Sequence, residues 1–358
     1  MSRKEFFPEI ETLRAIAVIM VMLAHFIPKS SPFHIPYMFY GVDLFFAISG
    51  FLITYILLGQ VHGEKNKNPV EILKNFFVRR VLRLFPVYYA FIGFFFILRN
   101  VFSIYIWTNE YNWYFFTYLQ NMYFFKEGAL NTSFSHLWSL GVEEQFYLVW
   151  PFLIMLVPLR YLVNVFMLLI AVSIALNVIY QPQVDAFRVL TIANMHTLGG
   201  GAFLAYLFRY RREGRLYLFL QQNRMGLFLI SLSLLVFALN YPVSPHGFRI
   251  WMIEFWLMCT VVMSVLISLD GWPNPFSILF HSRWIQHIGK VSYGIYLFHM
   301  LIPVALSVII SKLPVLGFVL PDQPWLRVPL LMIYSYLLAI ASFYFFEAYF
   351  LKLKAKFN

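Results

Sequence analysis

Glu11-Thr-Leu-Arg14-Ala-Ile-Ala-Val-Ile-Met-Val-Met-Leu-Ala-His25-Phe26 places an arginine and a histidine inside a run that otherwise reads as a membrane-spanning helix. At 100° per residue, the step from Arg14 to His25 turns about 1100°, roughly 20° past three full turns, so both side chains leave one face. The same step rises about 16 Å, which sets Arg14 near one membrane surface and His25 toward the other. Ionisable groups at such depth are costly and survive by facing a protein interior or a wet cavity. The stretch therefore predicts a helix lining a polar shaft.

The composition agrees: 61% of the residues are hydrophobic, 20% aromatic and 12% charged, where soluble domains carry about one quarter charged residues. This excludes an ordinary soluble domain and predicts a polytopic membrane protein. The net charge of +11 does not indicate a nucleic-acid partner, because the basic residues flank apolar segments and form no separate basic domain. The one cysteine, Cys259, lies in an apolar run and offers neither a disulfide nor a Cys-rich metal site. Met1-Ser-Arg-Lys4 has the charge of a signal-peptide n-region, but no small-x-small cleavage site follows the apolar stretch, so the first span is expected to be uncleaved.

Apolar windows of about twenty residues fall at 10–27, 42–58, 78–98, 136–157, 161–179, 189–208, 226–240, 250–269, 291–310 and 328–350. With the N-terminus cytoplasmic, nineteen lysines and arginines fall on the inner face and seven on the outer, Arg14 being the remaining one of the 27. That asymmetry follows the positive-inside rule. About ten transmembrane helices around a polar shaft, with both termini cytoplasmic, is the expected all-α fold. The longest outer connection, 99–135, is rich in Tyr, Trp and Phe, as suits a segment at the interface or over a cavity mouth. The chain has no internal repeat of the kind built into inverted-repeat carriers.

Four further stretches carry polar function. Asp43, in Gly41-Val-Asp43-Leu-Phe-Phe-Ala-Ile-Ser49-Gly50, opens the second span at the level of His25. It can orient the imidazole and stabilise its charge, or it can be a helix-start aspartate facing the positive end of the dipole. Arg80 and Arg83, at the inner mouth of the third span, share a helical face. Guanidinium forks suit phosphate, while a basic cluster at that position also serves as a topology signal. In His136-Leu-Trp138-Ser139-Leu-Gly-Val-Glu143-Glu144-Gln145-Phe-Tyr147-Leu-Val-Trp150, a 3.6 period groups His136, Leu140, Glu143, Tyr147 and Trp150. Glu143 then faces inward about 10 Å below the outer end, or Glu143 and Glu144 bond neighbouring helices. In Val291-Ser292-Tyr293-Gly294-Ile-Tyr296-Leu-Phe-His299, the small and aromatic residues suit packing, and His299 reads as a hydrogen-bonded structural histidine more than as a catalyst.

In this order, the Arg14 to His25 spacing, the Gly-Val-Asp43 block, Arg80-x-x-Arg83, Trp138-Ser139-Leu-Gly-Val-Glu143 and the Ser292-to-His299 block resemble the acyltransferase-3 family of integral-membrane O-acyltransferases. The resemblance covers about residues 9–350. It implies one transmembrane acyltransferase domain over 1–358; the chain departs from those members that carry an extracytoplasmic hydrolase-like domain, so no appended soluble domain and no second transfer step within the same chain are expected. It also implies acyl-coenzyme A, acetyl-CoA above all, as donor, and a surface or lipid-linked glycan such as lipopolysaccharide O-antigen as acceptor, at a bacterial inner membrane. Arg14, His25, Arg80, Arg83 and Glu143 match the family's functional positions. Arg14, Arg80 and Arg83 are then the donor-binding set, and His25, Glu143 and Asp43 the catalytic set. Trp138, Ser139, Glu144, Tyr147 and His299 are candidates for support.

A sugar hydroxyl needs a base within reach, and histidine has the pKa for that task. His25 acts in this reading either as general base in direct transfer, which is favoured, or as a nucleophile forming a transient acyl-imidazole. A proton-coupled transporter would use a similar Arg/His/Glu network but leaves Arg80 and Arg83 idle, and a non-catalytic receptor leaves the buried charges unexplained. No helical His-x-x-x-His or His-Glu-x-x-His pattern occurs, so no metal is expected.

Overall fold

The structure is a computed structural model that describes residues 8–28, 30–31, 36–63, 68–102, 112–128, 134–180, 184–211, 214–223, 281–312 and 323–357. The expected spans at 226–240 and 250–269, and Cys259, lie outside the described residues. Among the described residues there is no β-strand. The helices are α1 (Pro8–Phe26), α2 (Gly41–His62), α3 (Pro69–Phe102), α4 (Asn112–Phe116), α5 (Gln120–Glu127), α6 (Trp138–Leu156), α7 (Leu159–Tyr180), α8 (Met195–Tyr210), α9 (Arg215–Gln222), α10 (Arg283–Lys290), α11 (Ser292–Phe298), α12 (Leu301–Lys312), α13 (Pro324–Ser342) and α14 (Ala348–Lys354). Among the described residues, four stretches are long and apolar enough to cross a membrane: Met38–His62, Pro69–Ile97, Leu159–Tyr180 and Pro324–Lys354. Helix α3 starts nine residues before the expected 78 because Pro69, with its fixed φ, suits a first helical turn, and Glu71 complements the dipole there.

The chain divides into two compact units, one of Met1–Val21, Tyr37–Lys65 and Val149–Lys290, the other of Met22–Pro36, Asn66–Leu148 and Val291–Asn358.

In the first unit, the core joins Ile10, Leu13 and Ala17 of α1, Leu44, Ile48 and Phe51 of α2, and Leu204 and Phe208 of α8. Helices α2 and α8 cross at backbone contact: a Cβ on Gly50 would strike the Leu198 carbonyl, and one on Gly201 the Ala47 carbonyl. Without water to drive association, small residues at a crossing gain close van der Waals packing. The indole N–H of Trp150 donates to Thr54 Oγ1 at 2.7 Å, both residues being buried. Asn194 Nδ2 donates to the Arg188 and Leu190 carbonyls, 2.8 Å each, and so shapes the 3₁₀ turn Asp185–Val189.

In the second unit, α11 packs on α13 and α14 on α3. The described part of the aromatic outer connection is folded in: Tyr88 of α3 donates to the Phe115 carbonyl at 2.7 Å and its ring stacks on Tyr118 at 4.2 Å. Gln145 and Asn121 bond through both side-chain amides, at 2.8 and 3.3 Å, pinning α5 to α6. Between α13 and α14 the helix widens to a π turn, Phe343–Glu347. The turn leaves Phe345 90% exposed and Glu347 buried, and Glu347 accepts from Ser342 Oγ at 3.0 Å.

Candidate active-site residues in the two units

The first unit holds Arg14 and Asp43. Arg14 lies where the spacing places it, on α1, and its guanidinium is paired one turn back with Glu11 at 3.3 Å, its side chain 11% exposed. Glu11 went unread in the sequence although its spacing is the ordinary i, i+3 of helical ion pairs. Gly289 of α10 lets that helix meet α1 at the Glu11 carbonyl, where any Cβ would clash. Asp43 is buried, and its carboxylate receives Arg188 at 2.8 Å. The Arg188 guanidinium also lies over the Tyr40 ring at 5.1 Å, so the 3₁₀ turn that presents it completes an aromatic and ionic seat. Arg188 was assigned no role from the sequence. Its partner stands 145 residues away in sequence, beyond what any local pattern signals.

The second unit holds the other candidates. His25 ends α1, and its Nδ1 lies 3.3 Å from Nε2 of His299, the ring centroids being 5.0 Å apart. The group on that nitrogen is therefore another imidazole. His299 is fully buried; its Nδ1 lies 2.7 Å from the Tyr296 carbonyl. The ring of His136 stands edge to face on it at 4.9 Å. Ser139 Oγ and the Tyr296 hydroxyl are 2.6 Å apart, and the tyrosine donates to the His136 carbonyl at 2.7 Å. These bonds tie the start of α6 to α11. His136 itself sits in the 3₁₀ turn Ser135–Leu137 that precedes α6, so the α-helical grouping that put it in line with Glu143 does not apply to it.

Glu143 and Tyr147 do share a face of α6, with the Tyr147 hydroxyl donating to Glu143 Oε2 at 3.2 Å. Arg80 lies over the same Tyr147 ring at 5.3 Å and over Phe76 at 5.6 Å. Glu144 is within electrostatic reach of Arg80, and Glu347 of Arg83. Each of the two arginines thus has an acidic neighbour, which lowers the cost of holding a cation inside the bundle. Trp138 is buried at the start of α6. Tyr293, unassigned in the sequence beyond packing, donates to the Leu84 carbonyl one residue past Arg83, at 3.0 Å, and so fixes α3 there. Among the described residues, no cluster of three or more His, Cys, Asp or Glu side chains is arranged to hold a metal ion.

These features define an integral-membrane protein, helical among the described residues, with Asp43, His136, His299 and Glu347 buried among its helices. The chain belongs to the acyltransferase-3 family: the family described as "Acyltransferase domain" matches residues 7–344. It is similar to the peptidoglycan O-acetyltransferase OatA of Listeria monocytogenes, 32% identical over 96% of this chain and 56% of that protein. It is also similar to a Bacillus subtilis protein named "Putative peptidoglycan O-acetyltransferase YrhL", 27% identical over 96% of this chain and 54% of that protein. The chain spans about half the length of these curated relatives. No solved structure matches it.

Proposed function

We propose that this protein is a membrane O-acyltransferase that moves an acyl group, acetyl above all, from cytoplasmic acyl-coenzyme A to a hydroxyl of a surface glycan. The relatives' names favour a peptidoglycan-type acceptor over the lipopolysaccharide expected from the resemblance. The observation that carries the reading is His25: an imidazole on the first helix, with one ring nitrogen engaged by a buried histidine in a chain of this family.

In the reaction, His25 takes the proton of the sugar hydroxyl as its oxygen attacks the thioester carbonyl. The carbon–sulfur bond breaks, the coenzyme A thiolate leaves, and the proton held by His25 passes to the sulfur. Arg80 and Arg83, with Arg14 on α1, are the donor-binding residues in this reading, their forks matching the coenzyme's phosphates. Because Glu11 pairs with Arg14 and Glu144 and Glu347 lie within electrostatic reach of Arg80 and Arg83, an arriving phosphate competes with those carboxylates for the guanidinium charge. Tyr147, its hydroxyl bonded to Glu143, presents its ring to the Arg80 guanidinium. Ten spans with both termini cytoplasmic, in a bacterial inner membrane, complete the proposal, supported by the lysine and arginine asymmetry.

The test is release of free coenzyme A by the full chain in proteoliposomes supplied with acetyl-CoA and either muropeptides or O-antigen oligosaccharide. Glycan-dependent release, lowered at least about a hundredfold in His25→Ala, is expected. Wild-type release by that variant, or none with any glycan, overturns the proposal.

A further inference from the structure

The hydrogen bonds around His299 determine which nitrogen of His25 is basic. A carbonyl oxygen only accepts, so His299 Nδ1, 2.7 Å from the Tyr296 carbonyl, carries a hydrogen. His299 is fully buried, where an imidazolium is costly. The neighbouring His136 ring, edge to face at 4.9 Å, brings no negative charge. Neutral His299 has one N–H, so its Nε2 holds a lone pair, and the contact at 3.3 Å must be a donation from His25 Nδ1–H to His299 Nε2. His25 then carries no proton on Nε2, which holds a lone pair.

We propose that His299 is the positioning residue of the acyl transfer: a neutral imidazole, where many hydrolases place a carboxylate, that holds His25 in the Nδ1–H tautomer with Nε2 as the base. This rests on the role of His25 proposed above. When Nε2 accepts the hydroxyl proton, His25 becomes an imidazolium whose Nδ1–H still donates to His299. The charge stays on His25, which is partly exposed, and not on the fully buried His299. When Nε2 returns the proton to the departing sulfur, both rings are as they began. Tyr296 is the brace: its carbonyl fixes His299, and its hydroxyl, bonded to the His136 carbonyl and Ser139, fixes its own ring. That gives Ser139 a task three hydrogen bonds removed from the base.

The full chain, labelled with ¹⁵N-histidine and reconstituted in nanodiscs, reports the tautomer directly through imidazole nitrogen shifts, with the His25 signals assigned by their loss in His25→Ala. The expected result is a protonated Nδ1 and an unprotonated Nε2 in the wild type. In His299→Phe, which cannot accept, the Nε2–H tautomer should appear, and kcat should fall about ten- to a thousandfold with the donor KM unchanged. His299→Gln, whose side-chain oxygen can accept the Nδ1–H, should recover at least several-fold over His299→Phe. A protonated Nε2 in the wild type overturns the inference by itself, even where His299→Phe does not fold. So does a folded His299→Phe at wild-type kcat, or a folded glutamine variant no better than phenylalanine. An inactive His25→Ala alongside any of these leaves the acyltransferase reading standing, and an active one removes that reading first.

Discussion

Replacing Arg188 by methionine tests whether Asp43 serves the fold or the chemistry. Asp43 is 3% exposed at its side chain and Arg188 31%, with 2.8 Å between them. Arg188→Met takes the guanidinium away from a carboxylate that water barely reaches, and breaking a buried pair from one side costs about 3–5 kcal/mol. Asp43→Asn strands a guanidinium that is one-third exposed and still lies over Tyr40; it can turn partly to solvent, so about 1–2 kcal/mol is expected, near the value of one charge-assisted bond. The double variant removes both charges, and its cost should fall short of the sum of the singles by about 1–3 kcal/mol, the usual coupling of residues in contact. Reversible unfolding in mixed micelles measures all three. Costs that add within about 0.5 kcal/mol, or an arginine variant more stable than the asparagine one, would refute the ion-pair account. The same proteins are then assayed for acyl transfer per folded molecule, where Asp43→Asn should keep turnover within about tenfold. A hundredfold loss would place that carboxylate in the chemistry instead.

Arg83→Ala should weaken acyl-coenzyme A binding about ten- to a hundredfold, from the loss of a contact worth roughly 1.5–3 kcal/mol, and Arg83→Lys should recover only part of it. Unchanged binding by a folded Arg80→Ala/Arg83→Ala double variant in calorimetry refutes that assignment. Glu143→Gln should lower turnover more than Glu144→Gln, because Glu143 accepts from the hydroxyl of Tyr147, whose ring lies against Arg80; equal losses contradict it. Thr54→Val should destabilise by about 1–3 kcal/mol by leaving the Trp150 N–H buried without its acceptor, whereas Thr54→Ser should cost less. Gly201→Ala should yield a destabilised or aggregated protein in size-exclusion chromatography, since its methyl group meets the Ala47 carbonyl.

What could be read from the sequence was whatever repeats with the helix. Glu143 and Tyr147 stand four apart and do bond, and the Arg14 to His25 stretch is one continuous helix. Periodicity failed where the helix stops: the 3₁₀ turn takes His136 out of the register assumed for it. It was silent on partners far apart in sequence. Asp43 and Arg188, or His25 and His299, meet only because whole helices pack, and no local spacing encodes a pair separated by 145 or 274 residues. His299 was read correctly as hydrogen-bonded, but which ring it bonds, and therefore which nitrogen that ring exposes as base, depends on three-dimensional placement.

The π turn at Phe343–Glu347 has a consequence for how this protein can change length. One extra residue in a turn shifts everything after it by about 100° relative to an unbroken α-helix. Deleting a single residue from the turn would heal the helix while rotating α14 away from α3, with which it packs. Point substitutions at the exposed Phe345 should be tolerated, whereas a one-residue deletion there should not. In a deletion scan the turn would stand out as a frame marker, a place where the number of residues matters more than their identity.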